Sequence, residues 1–132
     1  MARDQEISEI QACEFLSKFD LIDPDGTATI ASAVAGAHCR MLTLPAGRVV
    51  YCLTFAGPCA WIAAAAGFTS ASVTAQGLQM IEAQARKMHA TSIGFQTARL
   101  GLVRRAVSSG YLRHSKPGGF TLSKRFQSNE CS

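Results

Sequence analysis

Acidic side chains are scarce through most of this 132-residue chain. Seven of its nine carboxylates (Asp4, Glu6, Glu9, Glu14, Asp20, Asp23, Asp25) precede Gly26, and between Gly26 and Asn129 only Glu82 is acidic, against eleven Lys and Arg. That stretch therefore carries a positive field suited to polyanions or to an acidic protein face. Solubility and attraction to the chain's own acidic first segment would use the same charges. Patterns that would name a nucleic acid or a nucleotide are missing: there is no RNP, zinc-finger or P-loop sequence.

The five cysteines (Cys13, Cys39, Cys52, Cys59, Cys131) form no C-x-x-C pair and are odd in number, which argues against a zinc site and a closed disulfide framework. They read as small hydrophobes in a reducing compartment. His38, His89 and His114 share no metal-ligand spacing, so no metal is expected. The first residues, Met-Ala-Arg-Asp-Gln-Glu, are too polar for a secretory signal. Charge is absent from Val49 to Ile81, and Val49–Phe68 is long enough to cross a bilayer. Gly57-Pro58 divides it, however, and its first half is β-rich, so two adjacent buried strands are expected and no membrane span.

The length suits one domain. The expected organisation is an acidic helix and turn over 1–25, a core over 38–126 and a frayed tail over 127–132. Ile7, Ile10, Leu16 and Phe19 predict an amphipathic helix over Glu6–Phe19, followed by a turn at Asp23-Pro24-Asp25-Gly26. Thr27–Gly36 is ambiguous. Cys39–Leu44 and Arg48–Phe55 predict a β-hairpin, and Cys59–Ala65 a third strand whose alanines would also suit a helix.

Gly67–Ser72 reads as a loop, with Ser72 or Thr74 to cap the next helix. Leu78, Ile81, Ala85 and Met88 give that helix an apolar stripe and leave Glu82 on the solvated side. Thr91–Thr97 is a short strand. Ala98–Ser108 is a second helix with Leu100, Val103 and Val107 inward, Arg99, Arg104 and Arg105 outward, and Gly110 as its stop. Tyr111–His114 and Phe120–Phe126 close the chain as a hairpin.

The order hairpin, strand, loop, helix, strand, helix, hairpin, together with I-E-A-Q-A, S-I-G-F-Q-T and G-L-V-R-R-A-V-S-S-G-Y, resembles the GNAT N-acetyltransferase superfamily. The resemblance implies a mixed, mostly antiparallel sheet flanked by helices, and acetyl-CoA as cofactor. In that family the loop before the first core helix usually reads Arg/Gln-x-x-Gly-x-Gly/Ala, because bare backbone must approach a pyrophosphate. Here it reads Ala65-Ala66-Gly67-Phe68-Thr69-Ser70-Ala71-Ser72-Val73-Thr74. The family's frequent tyrosine four residues before the Gly-aromatic pair is Ala106, and a common asparagine on the same helix is Arg99.

Two kinds of function follow. A non-catalytic, small phage-type GNAT-like protein would need no cofactor. It would bind protein or nucleic acid through Arg99, Arg104, Arg105, Lys116 and Lys124, in virion assembly, genome delivery or host interference. It would reside in the host cytoplasm or the virion, possible homo-oligomers included. An acetyl-CoA-dependent N-acetyltransferase would instead use Gly67, Thr69, Ser70, Ser72 and Thr74 around the cofactor, with Tyr111 as acid and Glu82 as base. For Tyr111 a simpler role, favoured over the acid, is a core aromatic with a wet hydroxyl. Cys52 and Cys59 have no base in the sequence to activate them.

Overall fold

The computed structural model describes residues 2–18 and 30–126. Its elements run β1 (Arg3–Glu6), α1 (Glu9–Leu16), α2 (Ile30–Val34), β2 (His38–Leu44), β3 (Gly47–Ala56), β4 (Cys59–Ala66), α3 (Ala71–Lys87), β5 (Ser92–Thr97), α4 (Leu100–Ser108), β6 (Leu112–Lys116) and β7 (Gly119–Arg125). The strands form one sheet in the order β1-β2-β3-β4-β5-β7-β6. Every pairing is antiparallel except β4 with β5. The mixed, mostly antiparallel sheet flanked by helices is the architecture that the sequence resemblance implies.

Strand alternation sends successive side chains of β3 to opposite faces. Val49, Tyr51 and Leu53 enter a core shared with Leu78, Ile81 and Ala85 of α3 and Val103 and Ala106 of α4. Val50 and Cys52 enter a second core with Ala12 and Leu16 of α1 and Val34 of α2. Helices therefore cover both faces of β3. Each fully buried side chain of the size of Leu78 or Ile81 contributes roughly 1.5–3 kcal/mol, so these stripes hold the layers together.

A bulge in β4 reverses that alternation midway. Cys52 pairs with Ala64 and Leu53 with Ile62, so Ala63 is an extra residue. Ala60 and Ile62 thus belong to the α3/α4 core, whereas Ala64 and Ala66 belong to the α1/α2 core. β4 and β5 pair only through Cys59–Trp61 and Ser92–Gly94. Beyond Trp61 and Gly94 they carry no mutual ladder, and their C-terminal ends lead to α3 and α4.

Several local readings change. The expected helix over Glu6–Phe19 forms as the shorter α1, and Glu6 instead ends a strand, β1, that the sequence did not predict. Ser8 caps α1 in a capping box with Gln11, and Asp4 draws the chain onto β2 by accepting from Arg40 Nε and Tyr51 Oη, each at 2.7 Å. Ambiguous Thr27–Gly36 contains α2. The expected positions of Phe19, the turn at residues 23–26 and the tail over 127–132 lie outside the described residues. Ser70, rather than Ser72 or Thr74, caps α3.

On α4 the buried positions are Val103 and Ala106, while Leu100 and Val107 are exposed. The inward stripe is rotated from the predicted one, because alanine at 106 lets the helix sit close to the sheet. The third strand does form over Cys59–Ala66 despite its alanines. Among the described residues no helix is long and apolar enough to cross a membrane.

Candidate functional site

The N-terminal ends of α3 and α4 meet beside an open cleft of about 170 Å³, lined by Phe68, Thr69, Ser70, Ala71, Thr74, Arg99, Gly101, Leu102 and Arg105. Local chemistry shapes the loop that enters α3. Gly67 has φ +109°, and a side chain there would run into the Arg48 carbonyl of β3. Its missing side chain thus serves close packing of backbone on backbone. Phe68 folds back on α3, where a Cβ at Gly77 would stand 3.0 Å from the ring. The phenyl ring thereby forms a wall of the cleft.

Ser70 Oγ accepts the Val73 amide at 3.2 Å, and its carbonyl accepts the Thr74 hydroxyl at 2.8 Å. Thr74 is buried in the first turn of α3. Ser72 is exposed on that turn but does not line the cleft. Neither α3 nor α4 has an acid in its first turn. Arg99 is the N-cap of α4, and its side chain makes no capping hydrogen bond. A cation at the positive end of a helix is unfavourable, since anions are what that end attracts. Two helix termini, Arg99 and Arg105 thus give the cleft one electrostatic sign.

The other end of α4 is built differently. Tyr111 Oη donates to Glu82 Oε2 at 3.0 Å, and Lys124 Nζ donates to Glu82 Oε1 and to the Ser109 carbonyl, each at 2.9 Å. Glu82 is 8% exposed and Tyr111 3%. Glu82, which periodicity places on the solvated side of α3, is therefore buried. The reason is the partner that β7 brings: Lys124 compensates the carboxylate's desolvation. Burial, then the neighbouring Glu82 charge and hydrogen bond, push the Tyr111 hydroxyl up from its ordinary value. That hydroxyl is bonded inside the protein, not wet.

The sequence-derived candidates are thus divided. Tyr111, Glu82 and Lys124 come together, but Glu82 stands eight residues along α3 from Thr74 of the cleft, an axial offset of about 12 Å. Thr69, Ser70, Thr74, Arg99 and Arg105 line the cleft. Arg104 is exposed on α4 outside the lining, and half-buried Lys116 ends β6 in the last hairpin.

Sequence reasoning missed the group formed by Asp4, Arg40 and Tyr51. Tyr51 is fully buried, and burial followed by the Asp4 hydrogen bond pushes its hydroxyl up. Only the paired charges of Asp4 and Arg40 hinted at it. Cys39 and Cys52 face each other across β2 and β3 with 3.6 Å between sulfurs, and burial pushes both thiols up. Neither is an activated nucleophile. Cys59 is exposed. Among the described residues no cluster of three His, Cys, Asp or Glu side chains could hold a metal.

No protein-family profile matches this sequence, and no curated protein matches it. Solved structures do match its shape. The ribosomal-protein-S18-alanine N-acetyltransferase of Escherichia coli superposes with a TM-score of 0.70 at 6% identity, covering 98% of both chains. A putative acetyltransferase from Acinetobacter baylyi gives 0.62 at 11%, over 96% of this chain and 93% of the other. The GNAT domain of S. lividans PAT gives 0.61 at 15%, over 95% and 90%. At these identities the likeness concerns architecture alone: this chain has the GNAT acetyltransferase fold.

Proposed function

We propose that this protein uses the GNAT fold for binding rather than for acyl transfer, with the basic side of α4 as its contact. The observation that carries this reading is the buried Glu82–Tyr111–Lys124 group. It engages both acid–base candidates of the core, with Glu82 about 12 Å along α3 from Thr74 of the cleft, where Arg99 and Arg105 stand without a carboxylate beside them in the lining. A general base must come within hydrogen-bond reach of the proton it takes. Arginine supplies none, but it binds phosphate and carboxylate groups bidentately.

The partner class is an acidic protein face or a nucleic-acid backbone. The setting is the phage-type one: particle assembly, genome delivery or host interference. The test is thermal melting with acetyl-CoA up to millimolar concentration, alongside thiol release from acetyl-CoA with amine acceptors. No saturable rise in Tm and no turnover are expected.

A second reading, an acetyl-CoA-dependent N-acetyltransferase, draws support from the cleft and from the acetyltransferases among its structural neighbours. Under it the α3 N-terminus, Arg99 and Arg105 would hold the cofactor's phosphates, and proximity would supply most of the rate. A dose-dependent Tm rise that is lost in Arg99→Ala, accompanied by turnover, would establish it in place of the first.

A further inference from the structure

α4 has a second side, away from the cleft. Leu100 is 56% exposed and Val107 45%, and Arg104 stands between them on the same flank of the helix. From Leu100 to Arg125 there is no acidic residue. The complementary feature lies on the opposite face of the sheet. On α1, Ile10 is 72% exposed, with exposed Glu14 one turn away on the same flank. From Asp4 to Ser17 there is no Lys or Arg.

Building on the reading of α4 as a contact surface, we propose that its outer ridge, Leu100–Arg104–Val107, docks α1 of a second copy of this chain through Ile10 and Glu14. Two α4 ridges brought together would repel, as would two α1 ridges, whereas α1 against α4 pairs apolar with apolar and Glu14 with Arg104. Charge complementarity of this kind sets partner choice and register. Because α1 and α4 of one chain cover opposite faces of the sheet, a docked pair leaves one free ridge of each kind. The contact is head-to-tail and extends into a ring or a filament. Helices of eight and nine residues meet over less than the ~1,600 Å² of a standard interface. Association is therefore weak, salt-sensitive and favoured where copies are crowded.

Sedimentation velocity of the full chain over a wide concentration range tests this. Wild type is expected to form species larger than a dimer at high concentration, dissociated by salt. Arg104→Glu alone, or Glu14→Arg alone, should move the midpoint of assembly at least about tenfold higher. A mixture of these two variants should assemble again, because each intact or reversed ridge then meets its complement. Both positions are exposed, and unchanged circular dichroism confirms folding of each variant. A monomer at every concentration, assembly that survives both reversals, or a mixture that fails to assemble would overturn the proposal. The binding reading is tested separately, through Arg99 and Arg105 and the acetyl-CoA melts, so either can fail without the other.

Discussion

The two ends of α4 treat charge in opposite ways. At its C-terminal end, Lys124 bridges Glu82 and the Ser109 carbonyl while Tyr111 completes the carboxylate's bonding. At its N-terminal end, Arg99 sits on the positive pole of the helix without a capping bond and faces a cleft that also holds Arg105. Compensated charge fastens elements together, whereas uncompensated charge lowers stability and stores affinity for an anion. By that criterion the C-terminal end is structural, and the contact proposed above falls at the N-terminal end.

The contrast is broken most forcefully at Glu82. Glu82→Ala leaves Lys124 and Tyr111 without their shared acceptor, and should cost about 2–4 kcal/mol of unfolding free energy, measured by urea denaturation. A double variant, Glu82→Leu with Lys124→Met, should cost less than Glu82→Ala alone, since no charge is then stranded. If the single variant were neutral, the C-terminal end would be no more structural than the other. Tyr111→Phe removes one hydrogen bond to a charged acceptor and should cost about 1.5–3 kcal/mol at neutral pH.

The hydroxyls of Tyr51 and Tyr111 are both raised in the folded state, chiefly by burial. Each is protonated in the native protein at a pH where the unfolded chain has begun to lose its proton, so the unfolded state binds fewer protons and stability falls with rising pH. Their contribution is complete below the ordinary tyrosine value of about 10 and is lost above it. Melting temperature should therefore decline in the alkaline range, and less steeply in Tyr111→Phe.

The smallest effects on stability, and the sharpest on the comparison, belong to the two arginines of the cleft. Arg99→Ser installs a good N-cap and should add about 0.5–1 kcal/mol, while weakening whatever anion the cleft binds. Arg105→Ala should change stability by less than about 0.5 kcal/mol and weaken binding as well. Loss of stability in Arg99→Ser would mean that the arginine holds the fold rather than a ligand.

Periodicity alone made much of this architecture legible. The hairpin of β2 and β3, the apolar stripe of α3 with Leu78 and Ile81, and the stop at Gly110 follow from local rules of alternation, helical repeat and positive φ, which need no knowledge of distant residues. β1 could not be read in that way. Its sequence, RDQE, has no strand propensity, and it pairs with β2 because Asp4 finds Arg40 and Tyr51. The bulge at Ala63 was equally hidden among alanines, which look alike from either face of a sheet.

Composition determined that the long region after Gly26 would be basic and would hold a single acid. Only the tertiary structure decided what becomes of those charges. A helical wheel knows one helix, so it sets Glu82 in water; β7 supplies Lys124 from 42 residues away and makes burial tolerable. Likewise Arg99, Arg104 and Arg105 are equivalent as residue types, and are separated only when α4 rotates Val103 and Ala106 onto the sheet, turning two arginines to the cleft and one to the outer ridge. Local sequence sets the period of a helix, but its rotation about its own axis is chosen by what it packs against.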